Sequence, residues 1–168
     1  MAGGTVRGKK ELRTIFWDET RGEVVMVDQT ALPSRFRYVR YSDYVAVGDA
    51  IRRMVVRGAP AIGVAAAMGL ALCAAKSKAA TREELLRELE QAANHLSKTR
   101  PTAVNLFWAL ERVMKVARKT EGGVDAVRER VLQEAKAMAE EDVKVNKQMG
   151  RLGASLLADG DRVLTLCK

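Results

Sequence analysis

The chain has little cysteine, little histidine and few side-chain amides. Among its 168 residues the only cysteines are Cys73 and Cys167, and the only histidine is His95. Two cysteines are too few for the disulfide framework of a small secreted domain. A single histidine excludes a His-rich metal site, and no Cys-x-x-Cys pair is present to hold structural zinc. The basic N-terminus is not followed by an apolar stretch, which argues against a secretory signal and for a cytoplasmic protein. The longest apolar run, residues 59–75, falls short of the roughly 20 residues of a membrane span. It also contains Gly63 and Gly69, so it predicts a helix buried in protein rather than a membrane partner. Asn and Gln together number seven; with abundant Arg and Glu, this fits a thermophilic source.

What is present describes a globular protein: 48% hydrophobic and 30% charged residues. Lys and Arg number 29 against 21 Asp and Glu, a net charge of +8. The excess is spread along the chain, so nucleic acid is not the expected partner. A solvated basic surface or attraction for a small phosphorylated ligand accounts for it. The length predicts one compact domain, or one domain plus the start of another.

Residues 1–11 read as a disordered basic tail. Residues 12–157 read as a small antiparallel three-stranded sheet followed by a helical bundle, an α+β domain. Strands are predicted at Arg13 to Trp17, Glu23 to Asp28 and Arg35 to Tyr41, rich in β-branched and aromatic residues, with one face wet. A helical period then begins, with Tyr44, Val47, Ile51, Met54 and Val55 on one stripe and Ser42 or Asp43 as cap. Pro60 suits the first turn of the apolar second helix. Thr81 and Glu84 form a capping box for a third helix, whose core face holds Leu85, Leu86, Leu89, Ala92, Ala93 and Leu96. A fourth helix is predicted to start at Arg100-Pro101-Thr102, with Val104, Phe107, Trp108, Leu110 and Met114 in the core. Gly122-Gly123 precedes a fifth, from Val124 to about Leu157. Residues 158–161 read as a turn and 162–168 as a buried parallel strand. A lone strand leaves its backbone groups unpaired, so residues 158–168 are expected to begin a further domain, and the sequence to be the front part of a longer protein.

The loop Val56-Arg57-Gly58-Ala59-Pro60-Ala61-Ile62-Gly63 carries the clearest chemical suggestion. A helix start offers free N–H groups and partial positive charge. Gly58 permits close approach of backbone to ligand, and Arg57 can fork onto a phosphate or carboxylate. The same residues also suit a plain helix–helix turn with Arg57 in a surface salt bridge. Arg100-Pro101-Thr102 repeats the layout, with Arg100 either on the surface or holding an anion from a second side. Cys167 falls at the end of the predicted strand, the edge where open α/β sheets bind ligands, and equally suits an inert buried position. Cys73 reads as packing, and His95 as a partner for a helix C-terminus.

Three segments, Asp28-Gln29-Thr30-Ala31-Leu32-Pro33, residues 50–67 and Arg100-Pro101-Thr102-Ala103-Val104-Asn105-Leu106-Phe107-Trp108-Ala109-Leu110, resemble the methylthioribose-1-phosphate isomerases. The wider family includes ribose-1,5-bisphosphate isomerases and the regulatory subunits of translation initiation factor 2B. The resemblance implies a cofactor- and metal-free aldose–ketose isomerase of methionine salvage, acting on a small phosphorylated sugar as a homodimer. By position, Arg57, Gly58, Ala59 and Arg100 would bind substrate, and Cys167 would assist the transition state. The family usually places His before and Asn after that cysteine, where this chain has Leu166 and Lys168. The resemblance also implies that residues 158–168 start a Rossmann-like second domain, to which the catalytic Asp and further substrate-binding Gln, Asn and Lys belong. This chain alone is therefore expected to be inactive. Alternative readings are a non-catalytic interaction module like the initiation-factor subunits, or an isomerase of ribose 1,5-bisphosphate.

Overall fold

The computed structural model describes residues 12–164. The expected basic tail and the last four residues, Cys167 among them, lie outside the described residues. Residues 162–164 carry no regular structure.

Strands β1 (Ile15–Asp18), β2 (Glu23–Val27) and β3 (Tyr38–Tyr41) form an antiparallel sheet in the order β1-β2-β3. The register pairs Ile15 with Met26 and Met26 with Val39, so Ile15, Met26 and Val39 point toward the helices with Trp17, Val24 and Tyr41. The opposite face is not simply wet. Val25 and Val27 are buried there, with Phe16 opposite Val25 and Tyr38 opposite Val27. Tyr38 meets the rings of Phe16 and Phe36 edge to face, with centroids 5.6 and 5.4 Å away. The third strand begins at Tyr38 rather than Arg35. The backbone before it is committed elsewhere, Arg35 N–H to the Ala31 carbonyl and Arg37 carbonyl to the Asp28 N–H.

Helix α1 (Tyr44–Arg52) is capped by Asp43, whose carboxylate accepts from Ala46 N–H at 2.8 Å. The expected stripe stops at Ile51. Met54 lies past the helix end with φ of +59° and is exposed, while that turn returns Val55 and Val56 to the core.

Helix α2 (Ala59–Lys76) is the centre of the domain, packed against the sheet and the four other helices. It is long and apolar enough to cross a membrane, yet thirteen of its eighteen residues are buried inside the protein, as a core helix requires. Two glycines let neighbours approach it. A Cβ at Gly63 would stand 2.9 Å from the Asn105 carbonyl oxygen, and one at Gly69 would stand 3.1 Å from Leu96 Cδ1.

Helix α3 (Arg82–Ser97) has the predicted capping box, and buries Leu85, Leu89, Ala92 and Leu96 with Leu86 and Ala93 half-buried. Helix α4 (Val104–Lys119) starts later than expected and turns a different face inward: Leu106, Ala109, Leu110, Val113, Met114 and Ala117 are buried. Val104, Phe107 and Trp108, expected in the core, are exposed. The close approach to Gly63 is the reason, since it demands small Ala109 at the contact and swings the bulky residues to the flank.

Helix α5 (Val124–Ala154) ends three residues before the expected Leu157. It runs antiparallel to α2. Near its start Arg128 donates to the Ala74 and Ser77 carbonyls at the end of α2, and further along Val145 and Pro60, at the start of α2, line one cavity. Its buried residues, Val127, Val131, Glu134, Ala135 and Met138, all fall in its first half. The turn over residues 158–161 is as expected, with Gly160 at φ +89° and Asp161 accepting from Ala158 N–H.

Candidate anion site at two helix starts

The α2 start, with Pro60 in its first turn, has neither a side-chain cap nor an acid there. Its cap is Gly58, which offers no side-chain acceptor, and no acidic residue stands in the first turn. Gly58 has φ of +96°, the left-handed region, and a Cβ there would meet nothing within 4 Å. Conformation rather than space requires glycine at this point. Arg57, Gly58, Ala59 and Pro60 are all exposed. Among the described residues the Arg57 side chain makes no ion pair or hydrogen bond, so the surface salt bridge that would explain it structurally is absent.

The α4 start is built the same way. Ala103 is its cap, again without a side-chain acceptor, and the first turn holds no acidic residue. Arg100 is half-buried, and its side chain also has no partner among the described residues. It precedes the helix by a tight turn rather than directly, with Ala103 N–H donating to the Arg100 carbonyl at 3.0 Å. The Gly63–Asn105 approach sets the first turns of α2 and α4 side by side. Two uncapped helix starts, each preceded by an uncommitted arginine, are therefore neighbours. Together they present partial positive charge, exposed backbone N–H groups and two guanidinium groups, the elements of a phosphate site.

The Asp28–Pro33 segment of the sequence resemblance is tied to the same place. Gln29 N–H donates to the Val55 carbonyl at 2.9 Å, and Gln29 Nε2 to the Arg57 carbonyl at 3.2 Å. Gln29 is held by Asp28, the cap of a short 3-10 turn (Gln29–Ala31). The buried Asp28 carboxylate accepts from Thr30 N–H and Oγ1, at 3.0 and 2.6 Å, and from Arg37 Nε and Nη2, at 2.9 and 2.5 Å. The Thr30 hydroxyl and the Arg37 guanidinium hold this carboxyl below the usual range. The loop bearing Arg57 is thus fastened from outside its own helix. The sequence reading did not identify Gln29 or Arg37 as supports. The Asp-x-Thr spacing of a side-chain-capped turn was the available signal.

Beside the two helix starts lies a cavity of about 240 Å³, bordered by Pro60 and Val64 of α2, Asn105 and Trp108 of α4, and Met138 and Val145 of α5. Trp108 is 52% exposed, and Arg112 stacks over its ring at 5.5 Å from the centroid. Arg112 is held by Glu134 at 2.6 Å and by both carboxylate oxygens of Glu141 at 2.6 and 2.8 Å. Arg112 lowers the Glu141 carboxyl, and its own guanidinium is raised in return. The i, i+4 spacing of Trp108 and Arg112 marks this pair in the sequence.

The remaining candidates are elsewhere. Cys73 is buried in α2, its thiol donating to the Glu88 carbonyl and pushed up to about 12 by burial, which makes it unreactive packing. His95 lies in the last turn of α3 as expected, but its ring packs into the protein, edge to face with Tyr44 and against Gly48, and buried Nε2 has no hydrogen-bond partner among the described residues. Cys167 lies outside the described residues.

Known proteins bear on this arrangement. A methylthioribose-1-phosphate isomerase from Geobacter metallireducens is 51% identical over 156 residues, 92% of this chain and 44% of its own length. One from Geobacter sulfurreducens is 49% identical over the same shares. The 5-methylthioribose 1-phosphate isomerase of Pyrococcus horikoshii superposes with a TM-score of 0.84 at 46% identity, over 90% of this chain and 42% of that one. A protein named as the delta subunit of translation initiation factor eIF-2B from A. fulgidus superposes with a TM-score of 0.83 at 44% identity, over 90% and 43%. The chain spans less than half the length of these relatives. The model of the initiation factor 2 subunit family matches residues 55–168, from the Arg57 loop onward, and the chain belongs to that family.

Proposed function

We propose that this chain supplies the phosphate-binding half of a methylthioribose-1-phosphate isomerase, a cytoplasmic enzyme of methionine salvage. The observation that carries the reading is the juxtaposition of two uncapped helix starts, each with an uncommitted arginine, in the segments that resemble the isomerases. In this reading Arg57 and the Gly58 and Ala59 backbone bind the substrate phosphate, and Arg100 binds it from the α4 side. The reaction opens the sugar ring and moves hydrogen between C1 and C2, turning an aldose phosphate into a ketose phosphate. It needs a proton donor and acceptor at those carbons. The described residues of this site offer arginines and backbone N–H groups, which bind and stabilise charge. The acid–base group comes from a second domain, and Cys167 assists the transition state in a pocket that excludes water.

The test is turnover of methylthioribose-1-phosphate by the purified chain, alone and mixed with the C-terminal portion of the Geobacter metallireducens relative. Activity in the mixture only, abolished by Arg57→Ala, supports the reading. Activity of the chain alone overturns the division of labour between halves. Association without turnover favours a second reading, a non-catalytic interaction module, for which the likeness to the structure named as an initiation-factor subunit speaks.

A further inference from the structure

The proposed substrate has two unlike ends, a phosphate on C1 and a methylthio group on C5. The helix starts account for the first and leave the second without a partner. The cavity beside them has the opposite chemistry. Its lining is mainly apolar, with Pro60 and Val64 from α2, Trp108 from α4, and Met138 and Val145 from α5, while Asn105, Glu141 and Asp142 complete the edge. It adjoins the phosphate loop directly, because Pro60 follows Gly58 and Ala59 in the first turn of α2.

The two carboxylates at its edge are already engaged. Glu141 is paired through both oxygens with Arg112, and Asp142 accepts from Asn146 Nδ2 at 2.9 Å. Glu141 is thus charge-paired and Asp142 is hydrogen-bonded, which leaves the apolar walls as the part of the cavity suited to a thioether. The cavity of about 240 Å³ equals the share of roughly eight liquid waters at about 30 Å³ each, room for a methylthio group and the adjoining sugar carbon. Sulfur packs favourably against aromatic rings, and the unbranched Met138 side chain adapts to fill irregular gaps. Trp108 presents such a ring, half-exposed and held in position by Arg112 from the neighbouring turn.

We infer that Trp108 is the specificity-determining residue of this site, forming with Pro60, Val64 and Met138 the seat of the substrate's methylthio group. This rests on the isomerase reading and goes beyond it by assigning the far end of the substrate. The Glu134–Arg112–Glu141 network positions the ring. The same arrangement accounts for the unusual surface of α4, where a tryptophan stays half in water while Ala109 occupies the helix contact.

The experiment compares binding of methylthioribose-1-phosphate with binding of 5-deoxyribose-1-phosphate, which differs only in lacking the methylthio group. Saturation-transfer NMR on the chain reads both, even at millimolar affinity. Trp108→Ala is expected to weaken methylthioribose-1-phosphate by about tenfold and to leave the deoxy ligand within about twofold. Trp108→Phe, which keeps an aromatic face, restores most of the difference. In the unmodified chain the S-methyl protons receive the strongest saturation, and in Trp108→Ala they lose it relative to the H1 proton. If Trp108→Ala leaves the ratio unchanged while Arg57→Ala weakens both ligands, the methylthio seat is overturned and the phosphate site stands. If neither ligand binds the unmodified chain, the isomerase reading falls and this inference falls with it.

Discussion

The starts of α3 and α2 are built from opposite materials. At α3, Thr81 Oγ1 accepts from Glu84 N–H at 3.2 Å, and Glu84 returns a carboxylate oxygen to the N–H groups of Thr81 and Ala80 at 3.1 and 2.9 Å. Those backbone donors, Thr81 first, hold the Glu84 carboxyl below its usual range. At α2 there is no acceptor and no acid, only a glycine cap preceded by an arginine with no partner. A helix start that serves only the fold satisfies its donors with its own side chains. One that leaves them open, in a chain able to cap α1 and α3 with side chains, has a different occupant in view. The α4 start shares both absences and lies against that of α2, whereas the α5 start, also without a side-chain cap, carries Asp125 in its first turn.

Four substitutions and one titration would break or sharpen this contrast. The largest effect belongs to the body of α2 rather than its start. Leu70→Ala opens a cavity in a fully buried position and is expected to cost about 3 kcal/mol in denaturant unfolding, with ligand affinity of the folded chain unchanged. Gly63→Ala places a Cβ where the Asn105 carbonyl now stands, so α4 must shift away from α2. A loss of about 2 kcal/mol is expected, and unlike Leu70→Ala it should also weaken methylthioribose-1-phosphate binding, because it separates the two helix starts. Thr81→Ala removes the α3 cap and is expected to cost about 1 kcal/mol without touching ligand binding.

Ala59→Glu tests the contrast from the other side. It gives α2 the acid that α3 has, so stability should rise by about 0.5 kcal/mol, while binding of the phosphorylated sugar falls by about tenfold through charge repulsion. Unchanged binding in Ala59→Glu would remove the α2 start from the site. The smallest effect is pH-dependent. Glu84 and Asp28 are both held below their usual range, so their stabilisation is present above the ordinary values of about 4.3 and 3.9. It is lost as pH falls through those values and then through the lower folded ones. Hydrogen exchange of the α3 first turn should therefore quicken below about pH 4, while the uncarboxylated α2 start shows no such acid-dependent change.

Local signals in the chain were reliable wherever neighbours could not overrule them. The capping box at Thr81, the Asp43 cap, the α2 helix start at the Arg57-Gly58-Ala59-Pro60 loop and the turn near Asp161 are all as read, because each depends on residues within a few positions. The three-strand meander was legible too, though the interactions of Arg35 and Arg37 shortened its last strand. The reading failed at α4. Of the expected core face Val104, Phe107, Trp108, Leu110 and Met114, only Leu110 and Met114 are buried, and the other three are exposed. Hydrophobic periodicity cannot say which helix flank meets a neighbour when a glycine on that neighbour selects the smallest residue instead.

Amino-acid order alone determined the helix and strand types, the apolar centre formed by α2 and the presence of arginines before two helix starts, since these follow from local propensity and spacing. Tertiary structure decided that the two starts are adjacent, that Gln29 ties the Arg57 loop in place, and that Trp108 faces a cavity instead of the core. These depend on the approach of residues 26 to 42 positions apart, where one missing Cβ at Gly63 sets the distance between helices and no local pattern records it.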